Sequence, residues 1–487
     1  MTRDKINRRS PLWRGGQLTI QMLVFGAVAV IVMGSFITWS NIVLHNTARN
    51  ANRIQAFSIA EAGIEYYRWH LAHAPTDFRD GTGIAGLYVH DYKDKNGVVI
   101  GQFVLDITPP SANNNIVTIA STGKFLNDPT ADRTIKVKMG IQSYTKYAVL
   151  VNDSVNFLPG TEVWGLVHSN NGVRFDGIAH NLVESSLQTY DDPDHSGVYE
   201  YAVHTHVLPV DPLPTSTLPS RSDIFYAGRQ MGLPTVDFTK ITQNLAQIKT
   251  SAQASGIYRA SSTALGYDVN LKTDNTLDLY KVTGLAAAPQ GCVNHKHEPG
   301  WSTWSVGTEV FLGNYAVSTS GLVFLEDNVW VRGEINNSRL TIAAARFPDN
   351  PSTRANIIIN DNVRYTNYNG SDVIGLIAQN NINVGLYSQD VLRIDAVLMA
   401  QNGRVHRYEY QPPGETGNSR CSPYHARTSI TTFGMIASYG AYGFAYTNSS
   451  GYQSRSLNYD NNLLYNPPPS FPLTSDQYSL ISWEEQK

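Results

Sequence analysis

The sequence predicts a mainly β protein on one long N-terminal α-helix, with a right-handed parallel β-helix as the bulk of the chain. Three observations lead there. An apolar run near the N-terminus continues into a single apolar stripe, the rest of the chain repeats short apolar strands separated by Asn and Gly, and charge is low. Residues 22–39 read MLVFGAVAVIVMGSFITW, and Leu18 and Ile20 extend the run. That is enough to cross a hydrocarbon core of about 30 Å. Arg3, Lys5, Arg8, Arg9 and Arg14 precede it against a single Asp4. Basic flanks stay in the cytoplasm, so residues 1–16 form a cytoplasmic leader and the bulk is extracytoplasmic, a single-pass arrangement. A cleaved secretory signal would have a shorter apolar region followed by a small-residue cleavage site.

Beyond the apolar run, Phe57, Ala60, Ile64, Tyr67 and Leu71 recur at steps of three and four. This is one face of a helix, and Pro75 stops it. The spacing predicts a continuous helix over 17–74, roughly 87 Å long at 1.5 Å per residue. Residues 75–142 follow as a small β unit. Phe103, Leu105 and Ile107 alternate, as do Ile135, Val137, Met139 and Ile141, and Asn96-Gly97 marks a hairpin turn. The helical stripe needs an apolar face to cover it, and this sheet is the expected partner.

Residues 143–460 carry the repeats. WGLVHSNNGVRF begins at Trp164, GLVFLEDNVWV at Gly321, IGLIAQNNINVG at Ile374, AVLMAQNGRVHR at Ala396 and FGMIASYGAYGF at Phe433. Each is a short apolar strand, a polar or small corner, and a second short strand. Corners of this kind need left-handed backbone, which Asn and Gly accept. Stacked coils would join the strands into one core and allow Asn ladders. A β-sandwich is the competing arrangement. Phe238, Ile241, Leu245, Ile248 and Ala252 predict a helical insert over 237–256 that covers an edge, followed by a hairpin turning at Asp274-Asn275. Residues 461–487 form a Pro-rich closing segment.

Composition excludes several functions. The 487 residues are 42% apolar and 16% charged, with net charge −3, so no basic footprint for nucleic acid is present. No phosphate-binding loop, dinucleotide loop or nucleophile elbow occurs. No cofactor and no catalytic residue is assigned. The weak metal candidates are Asp192 and Asp194, in the oxygen-rich run with Asp191 that would suit Ca²⁺, and His295 and His297 beside Cys292. His204 and His206 form a second alternate pair; surface histidine is the commoner outcome for both pairs. Paired carboxylates in a β-helix also raise an anchored enzyme acting on polysaccharide as an alternative. Cys292 and Cys421 sit in loop-like runs where an oxidising compartment would permit a bond, and the sequence leaves the pairing open. Trp301, Trp304, Tyr439, Tyr442, Phe444 and Tyr446 can form either strand packing or a contact patch for a surface glycan or protein ligand.

RGGQLTIQMLVFGAVAVIV and NRIQAFSIAEAGIEYYRWHLAH resemble the N-terminal region of PilX-like minor pilins, most specifically at Ala60, Glu61, Ala62 and Gly63. The later runs GTEVWGLVHSNNGVRFDG and YDNNLLYNPPPSFPLTSDQYSLISWEEQK resemble an uncharacterised domain joined to such proteins. The resemblance implies a minor subunit of a type IV pilus, with a prepilin peptidase, other pilins, pilus assembly proteins and the membrane as partners. It implies cleavage between Gly16 and Gln17. Major pilins carry Glu at the fifth mature position, and this chain has Gln21, which can hydrogen-bond but supplies no charge. A pseudopilin of a secretion system would show the same features.

Overall fold

The computed structural model describes residues 15–110, 116–294, 298–414, 419–464 and 466–486. They divide into two compact units. One takes the described parts of residues 1–108, 118–138 and 480–487, and the other those of 109–117 and 139–479.

In the first unit, helix α1 runs unbroken over Gly15–His73. Its first half has the length and composition to cross a membrane, with mean hydropathy 2.3 and none of that stretch buried. Leu18, Met22, Phe25, Ile31, Phe36 and Trp39 are all more than half exposed. Its second half buries Ala56, Ile59, Ala60, Ile64, Tyr67 and Leu71. These recur at helical spacing, and each large one adds about 1.5–3 kcal/mol of burial. They pack on a five-stranded sheet ordered Leu87–Lys93, Val99–Thr108, Ile116–Phe125, Asp128–Ser143, Leu473–Gln486. The first three strands are antiparallel neighbours. The Asp94-to-Gly97 turn joins the first two, and Asp94 Oδ1 accepts from the N–H groups of Asn96 and Val98. The fifth strand comes from the far end of the chain, within the segment that the sequence marks only as a closing run. Arg133 pairs with Glu485, and the Trp483 ring meets Phe57 at 5.8 Å.

The second unit is a β-helix of three parallel ladders, and a β-sandwich is excluded by the parallel pairing. The coil from Val167 illustrates the path. Val167–Ser169 lies on the first ladder, Val173–Phe175 on the second and Ile178–Ala179 on the third, and Val183–Ser185 returns to the first. The repeated motif is therefore a first-ladder strand, a corner and a second-ladder strand. Asn side chains stack at that corner. Asn328 Oδ1 accepts from the Asn356 amide N–H at 2.9 Å, Asn356 Oδ1 from Asn380 Nδ2 and the Asn381 N–H at 3.1 Å, and Asn381 Oδ1 from the Arg404 N–H at 2.8 Å.

Stack order differs from chain order. Along the first ladder, paired neighbours run Val323, Ile342, Leu376, Leu398, Ile436, Val149, Val167, Val183. The first coil of the unit thus docks on the last. From Val149 the chain winds away towards Arg229, crosses back through helix α2 (Thr239–Ser255), and winds from Ile257 towards its own starting point. Val236 is tied to Asn170 at 2.7 and 2.8 Å, and α2 ends against the Leu322–Leu325 strand. The outward residues of the first ladder explain the helix. Phe324, Ala343, Ile377, Met399, Ala437 and Leu150 are buried and apolar; they share one cluster with Phe238, Leu245, Ile248 and Ala252. The next outward residues are His168 and Glu184, which pair with each other at 3.2 Å. The column turns polar where the helical cover stops.

An antiparallel hairpin, Thr276–Leu285 with Val306–Ala316, lies on Gly266–Leu271, which pairs in parallel with Val329–Ile335 on its other side. It covers the edge of that terminal strand, and the turn from Gly266–Leu271 into Thr276–Leu285 is made at Asn275, whose φ of 62° is the left-handed conformation Asn tolerates.

Candidate functional site

Two regions carry chemistry or assembly features. The first is α1. Gly16 and Gln17 lie within the helix, and Gln21 is exposed in its apolar half. Residues 60–63 divide by face: Ala60 and Gly63 are buried, Ala62 is half-buried and Glu61 is exposed. A Cβ on Gly63 would stand 2.3 Å from Ser121 Oγ and 2.9 Å from the Phe103 ring. The motif therefore supplies a narrow helix face against the sheet. The five basic residues before Gly15 lie outside the described residues.

The second region is a hairpin, Thr189–Asp191 with Tyr199–Tyr201, which projects between two coils and leads into the second-ladder strand Val203–His204. Val203 points into the core and His204 outward, as alternation requires. Pro193–His195 forms a single 3-10 turn at the hairpin tip, capped by Asp192 Oδ1, which accepts from the Asp194 N–H at 3.0 Å. Of the sequence candidates, Asp192 turns inward and Asp194 turns out to Arg174 at 2.8 Å. Asp191 accepts from the Gly197 N–H at 2.8 Å and stays exposed.

Asp192 is joined by Glu200, His204, His206 and the exposed His195. Ligand-type atoms of Asp192, His195, Glu200 and His206 all lie within 4.8 Å of one another. His204 Nε2 stands 3.2 Å from Glu200 Oε2 and 3.4 Å from Asp192 Oδ2. Burial alone would raise the Asp192 pKa; its polar contacts with His204 and the Asp194 N–H outweigh that and hold it at about 2. Three imidazoles lie beside the carboxylates, whereas Ca²⁺ prefers oxygen ligands. Sequence reading missed His195 and Glu200. The available signal was the density of ligand-type residues, with 192, 195, 200, 204 and 206 falling within the short stretch 192–206.

The remaining candidates separate. His295 and His297 lie outside the described residues. Cys292 and Cys421 form a disulfide with Cα atoms 4.4 Å apart, packed with Leu386, Tyr408 and Tyr410. The aromatic residues form no common patch. Trp301 and Trp304 pack at the disulfide cluster, Tyr442 and Phe444 are core residues, and the Tyr446 hydroxyl donates to the Arg407 carbonyl. A groove of about 470 Å³ is lined by Asp268, Glu309, Trp330, Arg332, Asp361 and Tyr387 among others. Burial raises the pKa of both Asp268 and Glu309, but one Arg332 nitrogen reaches both carboxylates, at 2.7 and 3.2 Å.

Fold and site together define a β-helix protein with an N-terminal helix fit to cross a membrane. No protein-family model and no curated protein sequence matches the chain. Among solved structures, it is similar to the competence-associated pilin ComZ from Thermus thermophilus, at 14% identity and TM-score 0.30, with 89% of this chain and 97% of that chain covered.

Proposed function

We propose that this chain is a minor pilin-like subunit, anchored by α1 and presenting its β-helix at the cell surface for assembly or adhesion. The observation that carries the reading is the division of α1. One continuous helix is apolar and exposed in its first half, and in its second half is packed through Ala56, Ala60 and Gly63 on an antiparallel sheet. That layout lets the same helix sit in a bilayer and then line the core of a filament. On this reading the basic residues of the leader keep the N-terminus in the cytoplasm. Gln21 in place of a carboxylate suits a subunit at a filament tip, since it leaves no unpaired charge in lipid. The partners on this reading are a prepilin peptidase, other pilins and pilus assembly proteins, and a surface glycan or protein bound by the β-helix. The groove supports a binding role over a catalytic one. Its two carboxylates, Asp268 and Glu309, share one Arg332 nitrogen at 2.7 and 3.2 Å, the arrangement of a structural ion pair.

The test is the N-terminal sequence of the protein recovered from cells with and without a prepilin peptidase. A mature start at Gln17 that depends on the peptidase is expected. A start at Met1 in both cells would sink the reading and leave an anchored surface protein.

A further inference from the structure

We propose that Asp192, Glu200 and His204, completed by His195 and His206, form a binding site for one divalent transition-metal ion of the Zn²⁺ class. The site is independent of whether the chain assembles as a pilin.

The first argument is the state of three buried atoms. Asp192, Glu200 and His204 are 4%, 7% and 2% exposed. His204 Nε2 lies 3.2 Å from Glu200 Oε2 and 3.4 Å from Asp192 Oδ2, and none of the three atoms makes a hydrogen bond of good geometry. Buried polar atoms are almost always satisfied, and three convergent orphans call for a cation. The His204 ring fixes which nitrogen faces the carboxylates. Its Nδ1 lies 3.0 Å from the Tyr201 carbonyl oxygen, which can only accept, so Nδ1 carries the hydrogen. The neutral tautomer then leaves Nε2 as a bare lone pair facing two carboxylates. This is the outer-shell arrangement that orients a metal-bound imidazole.

The second argument is spacing. Metal–ligand bonds of about 2.0–2.1 Å in a tetrahedron put neighbouring ligand atoms about 3.3 Å apart. His204 Nε2 lies 3.2 and 3.4 Å from the two carboxylates, and His206 Nε2 and His195 Nδ1 lie 3.0 and 3.6 Å from Glu200 Oε1. Two carboxylates and neutral imidazoles neutralise a divalent ion. Imidazole nitrogen with carboxylate oxygen selects Zn²⁺ and its neighbours over Ca²⁺ or Mg²⁺. Nearby Arg174 does not fill the role, since it is committed to Asp176 at 2.7 Å and Asp194 at 2.8 Å.

The third argument is bracing. Asp176 Oδ1 accepts from the His206 N–H at 2.8 Å, and Asp211 Oδ2 accepts from the Thr205 N–H at 3.0 Å. Both fix the backbone of the strand Val203–His204 and of the residues just after it, which carry the two histidines. His195 is exposed at the hairpin tip and gives the ion a route in.

The test uses the full chain in detergent, stripped with a chelator and titrated with ZnCl₂ by calorimetry, with Co²⁺ absorption as a second readout. One ion per chain is expected, with the Co²⁺ absorption of four- or five-coordinate imidazole–carboxylate ligation and no displacement by a tenfold excess of Ca²⁺. Glu200→Gln and His204→Gln should each weaken binding about 100-fold or more. Those residues are buried, so His195→Ala is the control for folding: it should weaken binding about tenfold while leaving the thermal midpoint of the metal-free chain unchanged. Failure of the wild type to bind Zn²⁺ or Co²⁺ overturns the proposal. Equal affinity in wild type and all three variants overturns it too, as does replacement of Zn²⁺ by Ca²⁺.

Discussion

The carbonyl oxygen of Ala56 occupies the space that a side chain on Gly123 would need. A Cβ built on Gly123 would stand 2.0 Å from that oxygen and 2.5 Å from the Ala60 nitrogen. Helix backbone and strand backbone are in direct contact there, and neither can yield by rotating a side chain. Gly123→Ala should therefore push α1 off the sheet and destabilise the small unit by about 1–3 kcal/mol or more. Gly63→Ala should cost less, because Ser121 Oγ can rotate away. Thermal unfolding of the two variants beside wild type checks the order.

Arg407 is fully buried and makes its polar contacts with oxygen atoms of the backbone and of Ser388. Its guanidinium donates to the Gly385 carbonyl, to Ser388 Oγ at 2.9 Å, to the Leu386 carbonyl at 3.1 Å and to the Tyr424 carbonyl at 2.7 Å. Each acceptor left unsatisfied costs about 1–3 kcal/mol. Arg407→Leu should destabilise by at least about 3 kcal/mol. Arg407→Lys should not rescue, because an ammonium cannot reproduce the planar fork. Denaturant midpoints of both variants test this; a lysine variant as stable as wild type would refute it.

The β-helix was legible because its corner chemistry repeats in the sequence. Val167, Val323, Leu376, Leu398 and Ile436, the matching positions of the five motif copies, all lie on the first ladder. Ala60 and Gly63 were legible for a similar reason, since small residues at helical spacing mark close packing. The docking of Val149 on Ile436 was not legible. Any two coils of this type offer similar apolar strands, so composition does not say which two meet. Nor was the role of residues 473–486 in the small sheet, where polar residues dilute the alternation. The metal cluster was half visible. His204 and His206 announce themselves as an alternate pair, but the burial of Asp192 and Glu200 depends on how the hairpin folds over the ladder.

His406 sets a pH dependence. It is fully buried, stacks edge-on to Tyr408 at 4.6 Å, and neither ring nitrogen makes a hydrogen bond. Burial, with repulsion from Arg404, lowers its pKa well below the ordinary value of about 6.5. The sign follows from proton binding. Below that ordinary value the unfolded chain takes up a proton that the folded chain refuses, so stability falls as pH falls from about 6.5 towards the depressed folded value. His406→Asn should flatten this part of the stability-versus-pH curve. An unchanged slope between about pH 6.5 and 5 would show that other groups control it.

Helix α2 closes the permuted stack, and its loss should expose a defined surface. Seven ladder steps separate the Val167 and Ile257 levels. At about 4.8 Å per step that is roughly 34 Å. The 17 residues of α2 cover about 25 Å of it and the flanking residues supply the rest. An extended chain of about ten residues would span the same distance, so it is the apolar column beneath the connection that calls for a helix there. Leu245 and Ile248 are buried against that column. Each truncation to Ala should cost about 2–5 kcal/mol if the helix stays docked. The double change Leu245→Asp with Ile248→Asp should instead release α2. Limited proteolysis should then cut within Thr239–Ser255, and a hydrophobic dye should bind over Phe324, Ile377 and Met399. The core of each coil is closed by inward residues that α2 never touches, so the strands should keep their far-ultraviolet signal. Loss of that signal together with α2 would mean that the helix holds the two halves of the stack in register and does not merely cover them.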